Sequence, residues 1–156
     1  MPDYPGKTGP LAGIAAGLAS LPAGGAGIFV ACDLPFLNTR VVSRIARHLA
    51  DHQAVVPRWN GFIEPLAAGY SASLLEPVLA ALERGDREVR SFLPHTGVFY
   101  LEGDPLTSCG DPRRLFFNIN TIDDYRRALM ETGGLNLMPE EEISVLDERA
   151  RRLLGI

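Results

Sequence analysis

Cysteine is scarce: two in 156 residues, Cys32 and Cys109, far apart and in no Cys-x-x-Cys pattern, which excludes a disulfide framework and a structural zinc site. A reduced, cytoplasmic setting fits that scarcity. Positive charge is also short. Fifteen Lys and Arg against nineteen Asp and Glu leave a formal net charge of -4, so the chain has no broad basic field of the kind that nucleic acid or an anionic membrane surface requires. Neither is expected as a partner, and an anionic substrate would need local help from a bound cation or a few placed arginines. Long apolar runs are lacking too. Residues 9–32 carry no charge, but Pro22, Gly24, Gly25 and Gly27 interrupt them, alanine fills much of the rest, and no basic leader stands before a strongly apolar core. A signal peptide and a membrane span are therefore both rejected. No internal repeat or low-complexity tract appears, and 156 residues with 46% hydrophobic content suit one packed core.

What is present begins with an acid at a strand end. The run Gly27, Ile28, Phe29, Val30, Ala31 closes in Cys32, Asp33, Leu34, Pro35. In an open α/β sheet, ligands bind outside the carboxyl ends of strands, and a carboxylate there can hold a divalent cation against phosphate oxygens. Aspartate before a proline-containing loop is also ordinary turn chemistry, and locally both readings stand. A second segment tilts the balance: Leu115, Phe116, Phe117 read as a short strand ending in Asn118, Ile119, Asn120, Thr121. Thr121 with Asp124 has the spacing of a capping box, and Ile122, Tyr125 and Leu129 then recur at helical period. The cap accounts for Thr121. It does not account for the two asparagines flanking Ile119, whose alternation points both amides to one side.

The remaining pattern alternates helices with strands. Thr8, Gly9, Pro10 open a helix with Leu11, Ile14, Ala15 and Leu18 inward, and Gly9, Gly13 and Gly17 line one side of it. Asn38 or Thr39 caps a second, with Val41, Val42, Ile45 and Leu49 inward and Arg40, Arg44, Arg47 and Asp51 outward. His48 and His52 lie one turn apart, but no third ligand accompanies them, so a solvated helix end is preferred to zinc. Residues 53–57 read as a strand, 58–62 as a loop and 63–70 as an extended segment; Leu74 to Leu82 form a helix stopped by Gly85, a short helix follows over 87–93, and Val98 to Leu101 form a strand. This order predicts an α/β sheet layered with helices, with antiparallel pairing for the strands after Trp59 and after Gly97. Residues 1–131 are read as one partial domain. Residues 132–156 are read as a Gly133, Gly134 linker and a helix with an acidic start at Glu140, Glu141, Glu142 and an apolar stripe of Ile143, Leu146, Ala150, Leu153 and Leu154, docked on the domain or on a partner.

Three motifs in order, Gly9-Pro10-Leu11-Ala12-Gly13, Cys32-Asp33-Leu34-Pro35 and Asn118-Ile119-Asn120-Thr121, resemble those of the molybdenum cofactor guanylyltransferase family. Val55, Val56, Pro57, Arg58, Gly61, then Glu64, Pro65, Leu66, and then Leu82, Gly85, Arg87, Val89, Arg90 extend the resemblance, which covers roughly Asp3 to Leu129. It implies a Rossmann-like nucleotidyltransferase three-layer sandwich with a mostly parallel mixed sheet, here truncated at the N-terminus and carrying an extra C-terminal helix. Family members open on a glycine-rich loop, Leu-x-Gly-Gly-x-Ser-x-Arg-Met-Gly-x-x-Lys, that grips nucleotide phosphates. The sequence contains no such segment. A fragment, a misplaced start and a degenerate relative are the three accounts of that difference. An open sheet edge is expected to draw the chain into a homo-oligomer.

The resemblance also implies a reaction, transfer of a guanylyl group from GTP to the terminal phosphate of molybdopterin with release of pyrophosphate. Such transfer is catalysed by positioning and charge neutralisation, which calls for a metal ligand and cationic clamps. Mg2+ is the expected cofactor, with Asp33 and Asn120 as its ligands and as the catalytic pair. Gly9, Pro10, Leu11 and Gly13, with Asp33, would bind the nucleotide. Arg58, Glu64, Pro65, Arg90 and Asn118 would bind the acceptor, the arginines because a guanidinium offers paired donors to phosphate. Trp59 either stacks on a flat ring or anchors a loop. Cys32 is rejected as a nucleophile, since Asp33 beside it disfavours the thiolate. A cytidylyltransferase and a non-catalytic binding or scaffold relative are the alternatives.

Overall fold

In a computed structural model of the chain, residues 8–132 are described, and the reading of a linker and helix beyond Thr132 lies outside them. The elements in order are α1 (Pro10–Ala19), β1 (Ala26–Val30), α2 (Thr39–Leu49), β2 (Ala54–Trp59), β3 (Phe62–Ile63), β4 (Ala67–Ser71), α3 (Leu75–Glu83), β5 (Val98–Leu101), α4 (Asp104–Thr107), α5 (Pro112–Leu115) and α6 (Ile122–Glu131), with short 3-10 turns around residues 72–74, 89–91 and 93–95.

Local chemistry sets most of these boundaries. Gly9 enters α1 at φ +101°, a conformation that costs a residue with a Cβ, and Pro10 follows at the first helical position. Asn38 caps α2 by accepting from the Arg40 and Val41 N–H groups at 3.1 Å each, and its Nδ2 donates to the Cys109 carbonyl at 2.9 Å, tying the cap to a distant loop. Gly85 ends α3 at φ +87°, with its N–H on the Leu82 carbonyl and the Asp86 N–H on that of Ala81, the pairing of a Schellman cap.

The sheet is mixed and lies between two helical layers. Its order is β1-β4-β2-β5, with β3 a short antiparallel extension of β2. β1, β2 and β5 share one direction, but β4 inserts between β1 and β2 and pairs antiparallel with both. Antiparallel neighbours are therefore commoner than a mostly parallel sheet suggests. β5 pairs parallel to β2, correcting the antiparallel expectation for the strand after Gly97; a chain that crosses over through α3 can return in the same sense. Alternation along the strands sends Phe29, Ala54, Val56, Ala68 and Tyr70 to the layer of α1 and α3, and Ile28, Val55, Ala67 and Leu101 to the layer of α2.

Three further expectations are corrected. Arg58 and Trp59 belong to β2, because Asn60 (φ +47°) and Gly61 (φ +79°) make the tight turn that joins β2 to β3. The expected helix over 87–93 is two 3-10 turns. Leu115 to Phe117 are not a strand: Asp111 accepts from the Arg113 N–H at 3.0 Å, Pro112 takes the first helical position, and Leu115 completes one helical turn.

Close approach between sheet and helix occurs at Gly69. A Cβ there would lie 2.7 Å from Ile45 Cγ2 and 2.9 Å from Leu49 Cδ2 of α2. Gly69→Ala is expected to cost about 1–3 kcal/mol through overpacking, read as a lowered denaturation midpoint in urea. An unchanged midpoint would mean that α2 is seated more loosely than this contact requires.

Candidate functional site

The three strands of common direction bring their carboxyl ends to one side of the molecule, and β1 delivers Asp33 there. Beyond β1 the Ala31 N–H still bonds to the Leu66 carbonyl at 2.8 Å, so the Glu64-Pro65-Leu66 turn runs alongside the strand end. On another flank, the Ile119 N–H donates to the Asp33 carbonyl at 3.0 Å and draws in the Asn118–Thr121 segment. The Phe36 and Phe117 rings, with centroids 5.9 Å apart, join the two loops a few residues further out. Asn118 and Asn120 are exposed while Ile119 is half-buried, the alternation expected of the segment although it is not a strand.

Asp33 itself is half-buried, and its Oδ1 is shielded from solvent with no hydrogen-bond partner among the described residues. An unsatisfied buried oxygen on a carboxylate costs about 1–3 kcal/mol or more, so a position that keeps one is suited to a ligand that supplies the missing partner. A divalent cation bound by oxygen donors fits this donor set, one carboxylate and neighbouring amide oxygens. Among the described residues no group of three His, Cys, Asp or Glu side chains is arranged to hold a metal. His48 and His52 stack on Phe99, at ring distances of 4.3 and 4.8 Å. Cys32 is exposed and free, and Cys109 is free and buried.

The capping box at the start of α6 is present as the sequence predicts. Asp124 Oδ2 accepts from the Thr121 N–H at 3.0 Å, the Thr121 hydroxyl at 2.8 Å and the Asn120 N–H at 3.2 Å, and these donors, the hydroxyl first, hold its carboxyl below the usual range.

α1 packs on β1 in the opposite sense, Gly17 against Phe29, where a Cβ would collide with the ring. One turn toward the helix start lies Gly13, exposed, and then Gly9 and Pro10, also exposed, all at the end of β1 where Asp33 sits. Leu11 differs. It is fully buried in the core, so its side chain packs the fold and is not available to a ligand.

The expected acceptor residues are divided. Glu64 is half-buried, and burial pushes its carboxyl up, with the Trp59 indole and the Arg90 guanidinium acting against that rise. Trp59 is thus close to Glu64, yet its buried Nε1 lies outside hydrogen-bond geometry; the ring packs in the α2 layer as an anchor. The Pro65 carbonyl accepts from the Tyr70 hydroxyl at 2.7 Å. Arg58 is already engaged: its guanidinium pairs with both Glu102 oxygens at 2.6 and 2.8 Å and lies 4.3 Å from the Tyr100 ring. The sequence reading missed Glu102, because nothing in the order of residues announces which carboxylate a sheet will set beside Arg58. It also missed the joining role of Phe36 and Phe117.

Residues 1–98 match the family described as MobA-like NTP transferase domain. Among curated relatives, the chain is 36% identical over 124 residues to a protein of Methanosarcina mazei named "Probable molybdenum cofactor guanylyltransferase", covering 78% of this chain and 54% of that one. Proteins of the same name from Pelotomaculum thermopropionicum (30% identical, 82% of this chain, 62% of the relative) and Pyrococcus furiosus (34%, 76% and 59%) also match. Among solved structures, the molybdopterin-guanine dinucleotide biosynthesis protein A of Archaeoglobus fulgidus superposes with a TM-score of 0.71 at 30% identity, over 81% of this chain and 64% of that one. A protein of Aquifex aeolicus shares the fold, with a TM-score of 0.62 at 19% identity over 76% and 60% of the two chains. The chain spans little more than half the length of the curated relatives it matches.

Proposed function

The chain belongs to the MobA-like NTP transferase family, and from that premise we propose that it takes part in transferring a guanylyl group from GTP to molybdopterin in molybdenum cofactor biosynthesis. An oxygen of the acceptor's terminal phosphate attacks the α-phosphorus of GTP; a new phosphoanhydride forms, the bond to the β-phosphate breaks, and pyrophosphate leaves. The observation that carries this reading is the buried, partnerless Asp33 Oδ1 at a strand's carboxyl end, flanked by the asparagine segment.

Asp33 and Asn120 are the residues that would hold Mg2+, which when bound would neutralise charge on phosphate oxygens. At the start of α1 the exposed Gly9 and Gly13 leave room for a flat base against the backbone. Asn118 serves the acceptor phosphate through a neutral amide that donates and accepts, and Arg90, close to Glu64, supplies the positive charge. Arg58 reaches an acceptor only by leaving Glu102. Incubation of the chain with GTP, magnesium and molybdopterin tests the proposal: release of pyrophosphate dependent on all three supports it, and release with CTP in place of GTP reassigns the nucleotide. A folded sample that binds no nucleotide identifies a non-catalytic relative.

No helix among the described residues is long and apolar enough to cross a membrane, and two free cysteines support the reduced cytoplasmic setting proposed for the chain. A homo-oligomer is proposed on the edge at β1, which among the described residues pairs only with β4, carries no charged side chain, and leaves Val30 48% exposed. Sedimentation velocity is expected to give a dimer or larger species at micromolar concentration. A single sharp monomer would contradict it.

A further inference from the structure

We propose that Asp124 is a positioning residue for the candidate site, its carboxylate fixing the backbone of the Asn118–Thr121 segment so that Asn120 is presented beside Asp33. The inference rests on the nucleotidyltransferase reading for its consequence, but its geometric content stands on the fold.

A capping box requires only that the side chain at the third helical position accept from the N-cap N–H, here that of Thr121. Asp124 Oδ2 does this and also accepts from the Asn120 N–H at 3.2 Å. That extra bond lies one residue before the cap. It satisfies none of the free N–H groups of the helix itself, so its effect falls on the loop.

The loop's other anchor is Asp33. The Ile119 N–H goes to the Asp33 carbonyl at 3.0 Å, so three successive N–H groups, those of Ile119, Asn120 and Thr121, are bonded to two anchors, Asp33 and Asp124. The peptide planes before and after Asn120 are both held by Asp124, and the plane before Ile119 is held by Asp33. With both its flanking planes fixed, the Cα–Cβ direction of Asn120 is set by the backbone, although the residue is exposed and gains nothing from packing. The backbone that carries the Asn120 amide is thereby pre-organised, and only the side-chain torsions remain to be ordered when a ligand arrives. Asp124 touches no ligand. With three donors on one oxygen its task is to hold the segment still.

Two measurements on the full chain test this. In ligand-free protein, amide hydrogen exchange at Ile119 and Asn120 is compared among wild type, Asp124→Ala, Asp124→Asn and Asn38→Ala. The last removes the cap of α2, whose side chain bonds the Arg40 and Val41 N–H groups and the Cys109 carbonyl but no atom of the segment, and matches the loss of helix capping. Asp124→Ala is expected to lose protection at both amides, Asp124→Asn, which retains an acceptor oxygen, to keep most of it, and Asn38→Ala to keep all of it. Magnesium-dependent GTP affinity is expected to follow the same order, falling by about 10–100-fold in Asp124→Ala. Unchanged protection at Ile119 in folded Asp124→Ala, or equal loss in Asn38→Ala, would overturn the inference. Wild type that shows the protection but binds no magnesium-GTP overturns the nucleotidyltransferase reading and leaves the positioning result standing.

Discussion

Alanine at Asp33 is expected to abolish magnesium-dependent GTP binding, with a loss of about 100-fold or more, and at the same time to leave the protein as stable as wild type or more so. The two halves of this expectation come from one atom. Among the described residues Asp33 Oδ1 is buried without a partner, so in the ligand-free fold it contributes a desolvation cost of about 1–3 kcal/mol that alanine removes. The backbone bond from Ile119 goes to the Asp33 carbonyl and survives the substitution. A residue retained for the turn alone would show the reverse, a loss of stability on truncation and no effect on ligand. Calorimetric titration and thermal melts of the same samples separate the two cases. A destabilised Asp33→Ala variant that still bound magnesium-GTP would assign Asp33 to the turn. Stability held in reserve at a ligand site is a familiar trade in enzymes.

Truncation of Tyr70 is expected to produce the largest loss of stability, about 3–5 kcal/mol for Tyr70→Ala, a fall in Tm of roughly 10–15 °C for a chain of this size. Tyr70 is fully buried at the centre of the sheet, with the Phe29 and Phe92 rings at 5.7 Å each. Its hydroxyl donates to the Pro65 carbonyl at 2.7 Å, so the residue also fixes the turn that runs beside the Asp33 strand end. Burial pushes this phenol far above its ordinary range, and it remains a donor throughout the accessible pH range. Tyr70→Phe isolates the hydrogen bond. It is expected to cost about 0.5–1.5 kcal/mol and to loosen the 64–66 turn without opening the core. If Tyr70→Phe proved as damaging as Tyr70→Ala, the ring contacts would be of minor weight and the packing account of the sheet centre would be wrong.

The elements that the sequence made legible are those whose signals are local. Pro10 after Gly9, the Asn38 cap, Gly85 and the Thr121–Asp124 box each act within a few residues, and the structure places a helix boundary at all of them. Leu115 to Phe117 failed for a related reason: three apolar residues fit a strand and a buried helical turn equally, and Asp111-Pro112 upstream carried the deciding cap. Strand order was not legible. Antiparallel pairing after Trp59 was expected and is present, but nothing in residues 67–71 shows that they insert between two strands of common direction, since pairing depends on which edges remain free after the helices dock.

For the site, the motif residues Asp33, Asn118 and Asn120 could be named from their order, and the fold brings their segments together through a backbone bond that no side-chain pattern encodes. Leu11 shows the limit of carrying a motif across residue by residue. Its neighbours Gly9, Pro10 and Gly13 are exposed, whereas Leu11 is buried to anchor α1. Arg58 shows another. Its partner Glu102 is 44 residues away in sequence, and only the parallel pairing of β2 with β5 sets them side by side.

The most direct test of the account is calorimetric titration of the wild-type chain with GTP, with and without magnesium. Saturable binding of GTP that requires magnesium is the predicted result, because the unpartnered Asp33 oxygen and the segment held beside it are suited to a metal-bound nucleotide. No binding by a folded sample, or binding indifferent to magnesium, would contradict it.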